Sequence, residues 1–136
     1  MSARSKARKR ALDLIFAAEA QGLSADDLLT RQLDDGEGPA NEYTLELVRG
    51  VHEHRARLDE LISTYAVGWT IDRLPAVDRN VLRLGIFEVL YVEDVPDAVA
   101  VSEAVNLARD LSTDESPSFV NGVLGHVARD KASLIG

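Results

Sequence analysis

The sequence predicts an all-α fold of six or seven helices. Three observations carry that expectation. Polar and apolar residues nowhere alternate over a sustained run, apolar positions recur at helical spacing, and glycine and proline are sparse and mostly grouped where helices would break.

Residues 2 to about 20 read as a first helix ending near Gly22, and Ser24 caps a second, with Asp26 and Asp27 placed where the helix dipole favours them. Asp34 to Pro39, "DDGEGP", is the clearest loop. A long helix then opens near Asn41 and runs to Val67, with Leu45, Val48, Val51, Leu58 and Ile62 near helical spacing, Arg55 in the same register and Gly50 as a bend point. "GWTIDRLP" breaks it, with room for one short helical turn. After Pro75, "AVDRNVLRLGIFEVLYVED" leaves hardly any polar face, so this helix is surrounded and forms the centre of the protein. "VPDAVAVSEAVNLARDLS" follows with Pro96 at a helix start. In "SPSFVNGVLGHVARDKA", Ser116 reads as a cap and Pro117 as the first helical residue. Gly85, Gly122 and Gly125 inside predicted helices imply close helix approach, and Arg83 and Glu88 in the central helix imply paired or snorkelling polar groups.

Charge is distributed unevenly. Arg4, Lys6, Arg8, Lys9 and Arg10 precede the first acidic residue, Asp13, leaving ten basic against 23 acidic residues in a chain of net charge −8. A basic arm on an acidic body implies two surfaces with partners of opposite sign, nucleic acid for the arm and a basic protein for the body. No run of about 18 apolar residues spans a membrane and no apolar signal core follows the basic start, so the expected location is the cytoplasm. The absence of cysteine excludes disulfides and thiolate chemistry.

On a helical wheel Ala7, Ala11, Leu14, Ile15 and Ala18 form one stripe, while Lys6, Lys9, Arg10 and Asp13 lie opposite, with Leu12 and Phe16 on the flank nearest Lys9. Cations that neutralise phosphates beside a ring on which a base stacks suit single-stranded RNA. From this helix alone a solvated terminus with Phe16 in the core is the preferred reading, since charge runs are common on helix ends. Tyr65, Trp69 and Phe119 lie at helix ends or in the break, where aromatics are exposed more often, although core packing accounts for any one of them. Tyr65 is the best single candidate because its hydroxyl needs a partner. His52 and His54 point about 200° apart on a helix and cannot share a metal, and His126 stands alone. No phosphate loop, dinucleotide fingerprint or nucleophile elbow occurs, so neither an active site nor a cofactor is expected.

"KARKRALDLIF", "VDRNVLRLGIFEVLY" followed by "VPDAVAVSEAVNLARDLS", and above all "SFVNGVLGHVA" resemble the NusB family of bacterial transcription antitermination factors over essentially the whole chain. The resemblance implies two packed helical subdomains, about residues 1–70 and 71–136, forming one RNA-binding domain without catalysis. It implies binding to boxA RNA of ribosomal transcripts together with NusE, a small-subunit ribosomal protein, in an antitermination complex on RNA polymerase. The expected RNA contacts are Lys6, Arg8, Lys9, Arg10, Phe16, Tyr65 and Phe119, and Asp78 and Glu115 fall at acidic positions near the RNA and NusE. Some members carry tyrosine at the position of Phe16, where this chain keeps the ring without the hydroxyl. The family includes monomers and homodimers. Two alternatives stand beside this reading: a detached NusB-like domain serving a ribosomal RNA cytosine methyltransferase, and a helical protein-interaction scaffold.

Overall fold

Side-chain caps set the starts of the first three helices in the computed structural model, which describes residues 2–39 and 41–135. Ser2 Oγ accepts from the Ser5 N–H at 3.0 Å and opens α1 (Ala3–Gln21). Ser24 Oγ accepts from the Asp27 N–H at 3.0 Å and opens α2 (Ala25–Asp34). Asn41 Oδ1 accepts from the Tyr43 N–H at 2.8 Å and opens α3 (Glu42–Glu53). Each cap satisfies an amide that the first turn leaves without a helical partner. Gly22, at φ +70°, ends α1 by turning its N–H back to the Ala18 and Glu19 carbonyls, a conformation that favours glycine.

These three helices form the first compact unit, Met1–His54. The apolar stripe of α1 is buried as its spacing predicts, and α1 packs on both α2 and α3. Thr44 Oγ1 donates to the Ala7 carbonyl at 3.2 Å, a buried hydrogen bond between α1 and α3.

The second unit, Arg55–Gly136, holds α4 (Arg55–Tyr65), a 3-10 turn (Ile71–Arg73), α5 (Ala76–Tyr91), α6 (Asp97–Leu111), α7 (Ser116–Arg129) and α8 (Lys131–Ile135). Helix α5 is its centre, buried continuously from Asn80 to Leu90 and packed against α4, α6, α7 and α8. Gly85 permits a close approach: a Cβ there would meet Leu124 Cδ1 at 2.6 Å and Ala104 Cβ at 3.3 Å. Gly122 and Gly125 meet nothing within 4 Å, so the close approach expected at all three glycines holds at Gly85 alone. Arg83, in α5, is paired as expected: its Nε and Nη2 donate to the two Asp59 oxygens at 2.7 and 3.1 Å, and its Nη1 donates to Asn80 Oδ1 at 2.8 Å. This fork fixes α4 on α5.

The all-α class is confirmed, and four details differ from the expectation. Among the described residues there are eight α-helices, because the 41–67 segment is interrupted at His54 and a five-residue helix closes the chain. His54 leaves helical geometry at φ −100°, ψ 14°, four residues past the expected bend. The chain divides into its two compact units between residues 54 and 55, with α4 in the second unit because it packs on α5 and α7, where the expected division lay near residue 70. Ser116 is the first residue of α7 and does not cap it with its side chain; its hydroxyl donates instead to Asp78 Oδ2 at 3.0 Å.

Candidate nucleic-acid interface

In the first unit the candidate surface is the polar side of α1. Burying the opposite stripe leaves Lys6 exposed and Lys9 and Arg10 partly exposed. Lys9 Nζ pairs with Asp13 Oδ2 at 3.3 Å, one turn along the same face. Such a surface pair is worth about 0.2–1 kcal/mol, so exchanging Asp13 for a phosphate costs little. Arg10 Nη2 donates to Gln32 Oε1 at 3.1 Å, which anchors its guanidinium beside α2. Phe16 leaves 39% of its surface exposed, whereas Leu12 on the same flank is buried. Arg8 departs from the expected RNA contact. It is only 3% exposed, and its guanidinium lies 5.7 Å from the centre of the Tyr43 ring, so it serves the packing of α1 on α3. Arg4, one turn earlier, lies 4.2 Å over the same ring.

In the second unit, Asp78, Glu115 and Phe119 are brought together around a pocket of about 280 Å³, with Trp69, Leu74, Pro75, Thr113 and Ser116 completing its lining. The rings of Trp69 and Phe119 lie 6.3 Å apart, tilted by 59°. Asp78 is not a rim residue. It is 4% exposed, and its two oxygens accept from Ser112 Oγ at 2.6 Å and Ser116 Oγ at 3.0 Å, so it ties the start of α5 to the end of α6 and the start of α7. Glu115 is exposed. Core packing is the expectation for Trp69, yet 49% of its surface is exposed, in keeping with its place in a glycine-led break.

Tyr65 does not line this pocket. Its hydroxyl donates to Asp130 Oδ2 at 2.8 Å, and its ring meets His126 edge-on at 5.3 Å. The hydrogen bond to Asp130 raises the phenol above its ordinary value of 10.0; burial and the Asp130 charge add to the effect, while Arg57 and Arg129 oppose it. The protonated phenol is therefore favoured in the folded chain. Its contribution to stability is complete below the unfolded value and is lost as pH rises through the folded one. Asp130→Asn is expected to move this ionisation back towards 10, read by ultraviolet difference titration with Tyr65→Phe assigning the signal. An unchanged titration would contradict the Asp130 contact.

A larger depression of about 430 Å³ along α6 and α7, lined by Asp97, Val101, Asn106, Arg109 and Asn121 among others, holds none of the expected site residues. Among the described residues no group of three or more histidines and carboxylates is placed to hold a metal, and no helix is long and apolar enough to cross a membrane.

A family model described as the NusB family matches residues 5–129. The chain belongs to the NusB family. Its relatives include the "Transcription antitermination protein NusB" of Nocardioides sp. strain JS614, 66% identical over 134 residues that cover 98% of this chain and 99% of the relative. The protein of the same name from Streptomyces avermitilis is 50% identical over 139 residues, covering 98% of this chain and 96% of the relative. Among solved structures, NusB of T. maritima superposes with a TM-score of 0.83 at 32% identity, covering 97% of this chain and 94% of that one. A chain from a crystal structure of the antitermination factors NusB and NusE in complex with dsRNA gives 0.79 at 26% identity, covering 93% and 96%. The NusB-family resemblance read from "SFVNGVLGHVA" and the first helix thus holds across nearly the whole chain.

Proposed function

We infer that this NusB-family chain is a non-catalytic, cytoplasmic transcription antitermination factor that binds boxA RNA together with NusE and helps assemble the antitermination complex on RNA polymerase. The observation that carries this reading is its near full-length identity of 66% to a transcription antitermination protein. The geometry of α1 supports the RNA part: Lys6, Lys9 and Arg10 supply phosphate neutralisation and the exposed Phe16 ring supplies a stacking surface. Phe119 contributes a second ring. Tyr65 contributes its ring while Asp130 holds its hydroxyl. Glu115 lies at the RNA rim, and Asp78 organises the site from beneath. The acidic remainder of the chain suits the basic NusE.

The test is a titration with boxA RNA at two salt concentrations, with and without NusE. Weak binding by the chain alone, tighter binding with NusE, and a logarithmic salt slope of roughly −0.7 per neutralised phosphate are expected. Failure to bind boxA RNA even with NusE at low salt would overturn the reading.

A further inference from the structure

We propose that Asp130 is a positioning residue for RNA binding, acting through the Tyr65 hydroxyl to fix the ring on which a base stacks. The proposal rests on the RNA-binding function inferred above and extends it to a residue just past the 5–129 span that the family model matches.

Tyr65 is the last residue of α4, and its side chain is partly exposed. A ring that turns about two torsions needs two separate contacts to be held in one orientation. The end of α7 supplies both. At the tip of the side chain the hydroxyl donates to Asp130 Oδ2 at 2.8 Å, and along the ring His126 meets it edge-on with the centroids 5.3 Å apart. A base stacks on a ring face and makes no demand on the phenol proton, which leaves the hydroxyl available as a tether.

Asp130 is itself held on both sides. Its N–H bonds back to the His126 carbonyl at 3.1 Å, and its own carbonyl accepts from the Ser133 N–H at 3.0 Å and from Ser133 Oγ at 2.8 Å. Helix α8 is pinned at its start by Lys131 Nζ on Asp97 Oδ1 at 3.0 Å and near its end by Arg57 Nη2 on the Leu134 carbonyl at 3.5 Å. The tether therefore joins Tyr65 to an ordered junction of two helices. A ring already ordered in the free protein gives up less freedom when RNA arrives, and affinity gains by that difference.

The opposite role is that of a brake, in which Asp130 competes with RNA for the phenol proton and repels phosphates. The surrounding charges argue against it. Arg57 and Arg129 both oppose the Asp130 charge at Tyr65, and Arg129, the neighbour of Asp130 in the chain, is exposed. A phosphate approaching the ring thus meets a cation beside the carboxylate.

The test measures boxA affinity with NusE present, for the complete chain and its variants. Asp130→Ala and Tyr65→Phe each remove the tether and leave the ring, so both should weaken binding by the same factor, about 2- to 12-fold, the equivalent of the ~0.5–1.5 kcal/mol for immobilising one side chain. The double variant should lose no more than either single one, because both break the same contact. Asp130→Asn keeps an acceptor oxygen and should restore most of the affinity. Tyr65→Ala removes the ring as well and should cost more, about 5- to 150-fold. Tighter binding by Asp130→Ala would overturn the proposal in favour of a brake. A loss in Asp130→Ala that recurs in full on the Tyr65→Phe background would overturn it in favour of a structural part independent of the ring. Unchanged affinity in Tyr65→Phe alone would also overturn it, which keeps the test intact if Asp130→Ala fails to fold. Tyr65→Ala binding as tightly as the unaltered chain would overturn it and leave the functional reading standing. No boxA binding by the unaltered chain with NusE would overturn the functional reading itself, and this proposal with it.

Discussion

Replacing Lys6, Lys9 and Arg10 together by glutamine is expected to weaken boxA binding about 100-fold near 0.1 M salt. Each cation that neutralises a phosphate of single-stranded RNA releases roughly 0.7 of a counterion, so three contacts contribute a factor near 10² at that salt concentration. The same variant should flatten the logarithmic salt dependence by about two units, because the release term disappears with the contacts. Arg8→Gln provides the contrast. Its guanidinium is buried against Tyr43, so the substitution is expected to lower stability and leave the salt slope unchanged. Anisotropy titrations over a range of salt concentrations check both outcomes. A triple variant with the original slope would place the phosphate contacts elsewhere.

Asp59→Ala is expected to cost about 3 kcal/mol of stability, a large share of the roughly 5–15 kcal/mol of a typical domain. The substitution removes the acceptors of both Arg83 Nε and Nη2 and leaves a guanidinium inside the second unit with Asn80 Oδ1 still on Nη1. Arg83 is 3% exposed and Asp59 29%, so removing the carboxylate leaves the buried member of the pair with its desolvation penalty, which costs more than removing both. Adding Arg83→Met to Asp59→Ala should therefore recover part of the loss. Urea unfolding of the two single variants and the double variant measures the coupling directly. A change below about 0.5 kcal/mol in Asp59→Ala, the range of ordinary surface substitutions, would contradict this role. The pair matters for the proposed site because α4 ends at Tyr65 and α5 carries Asp78 in its first turn.

What could be read from the sequence was what local spacing encodes. The stripe from Ala7 to Ala18, the Ser24 cap and the almost wholly apolar α5 each follow from the helical period or from a side chain reaching an amide three residues away. What could not be read depends on partners distant in the chain. Arg8 looks like its neighbours in a run of cations, yet it is buried in the folded unit, where its guanidinium lies 5.7 Å from the Tyr43 ring of α3. Ser116 has the sequence setting of a cap, but Asp78, 38 residues earlier, takes its hydroxyl. The interruption at His54 carries no proline or glycine to announce it. Of the expected RNA contacts, Lys6, Lys9, Arg10 and Phe16 share one helix and were legible as a face, whereas the gathering of Trp69, Asp78, Glu115 and Phe119 around one pocket is a tertiary event.

The central claim is that this chain and NusE together recognise boxA RNA specifically, and the most direct measurement compares their affinity for boxA with that for a scrambled RNA of the same length and composition at one salt concentration. The expected result is clearly tighter binding of boxA by the pair. Equal affinities with NusE present would contradict the claim and reduce the basic face of α1 to a non-specific electrostatic surface.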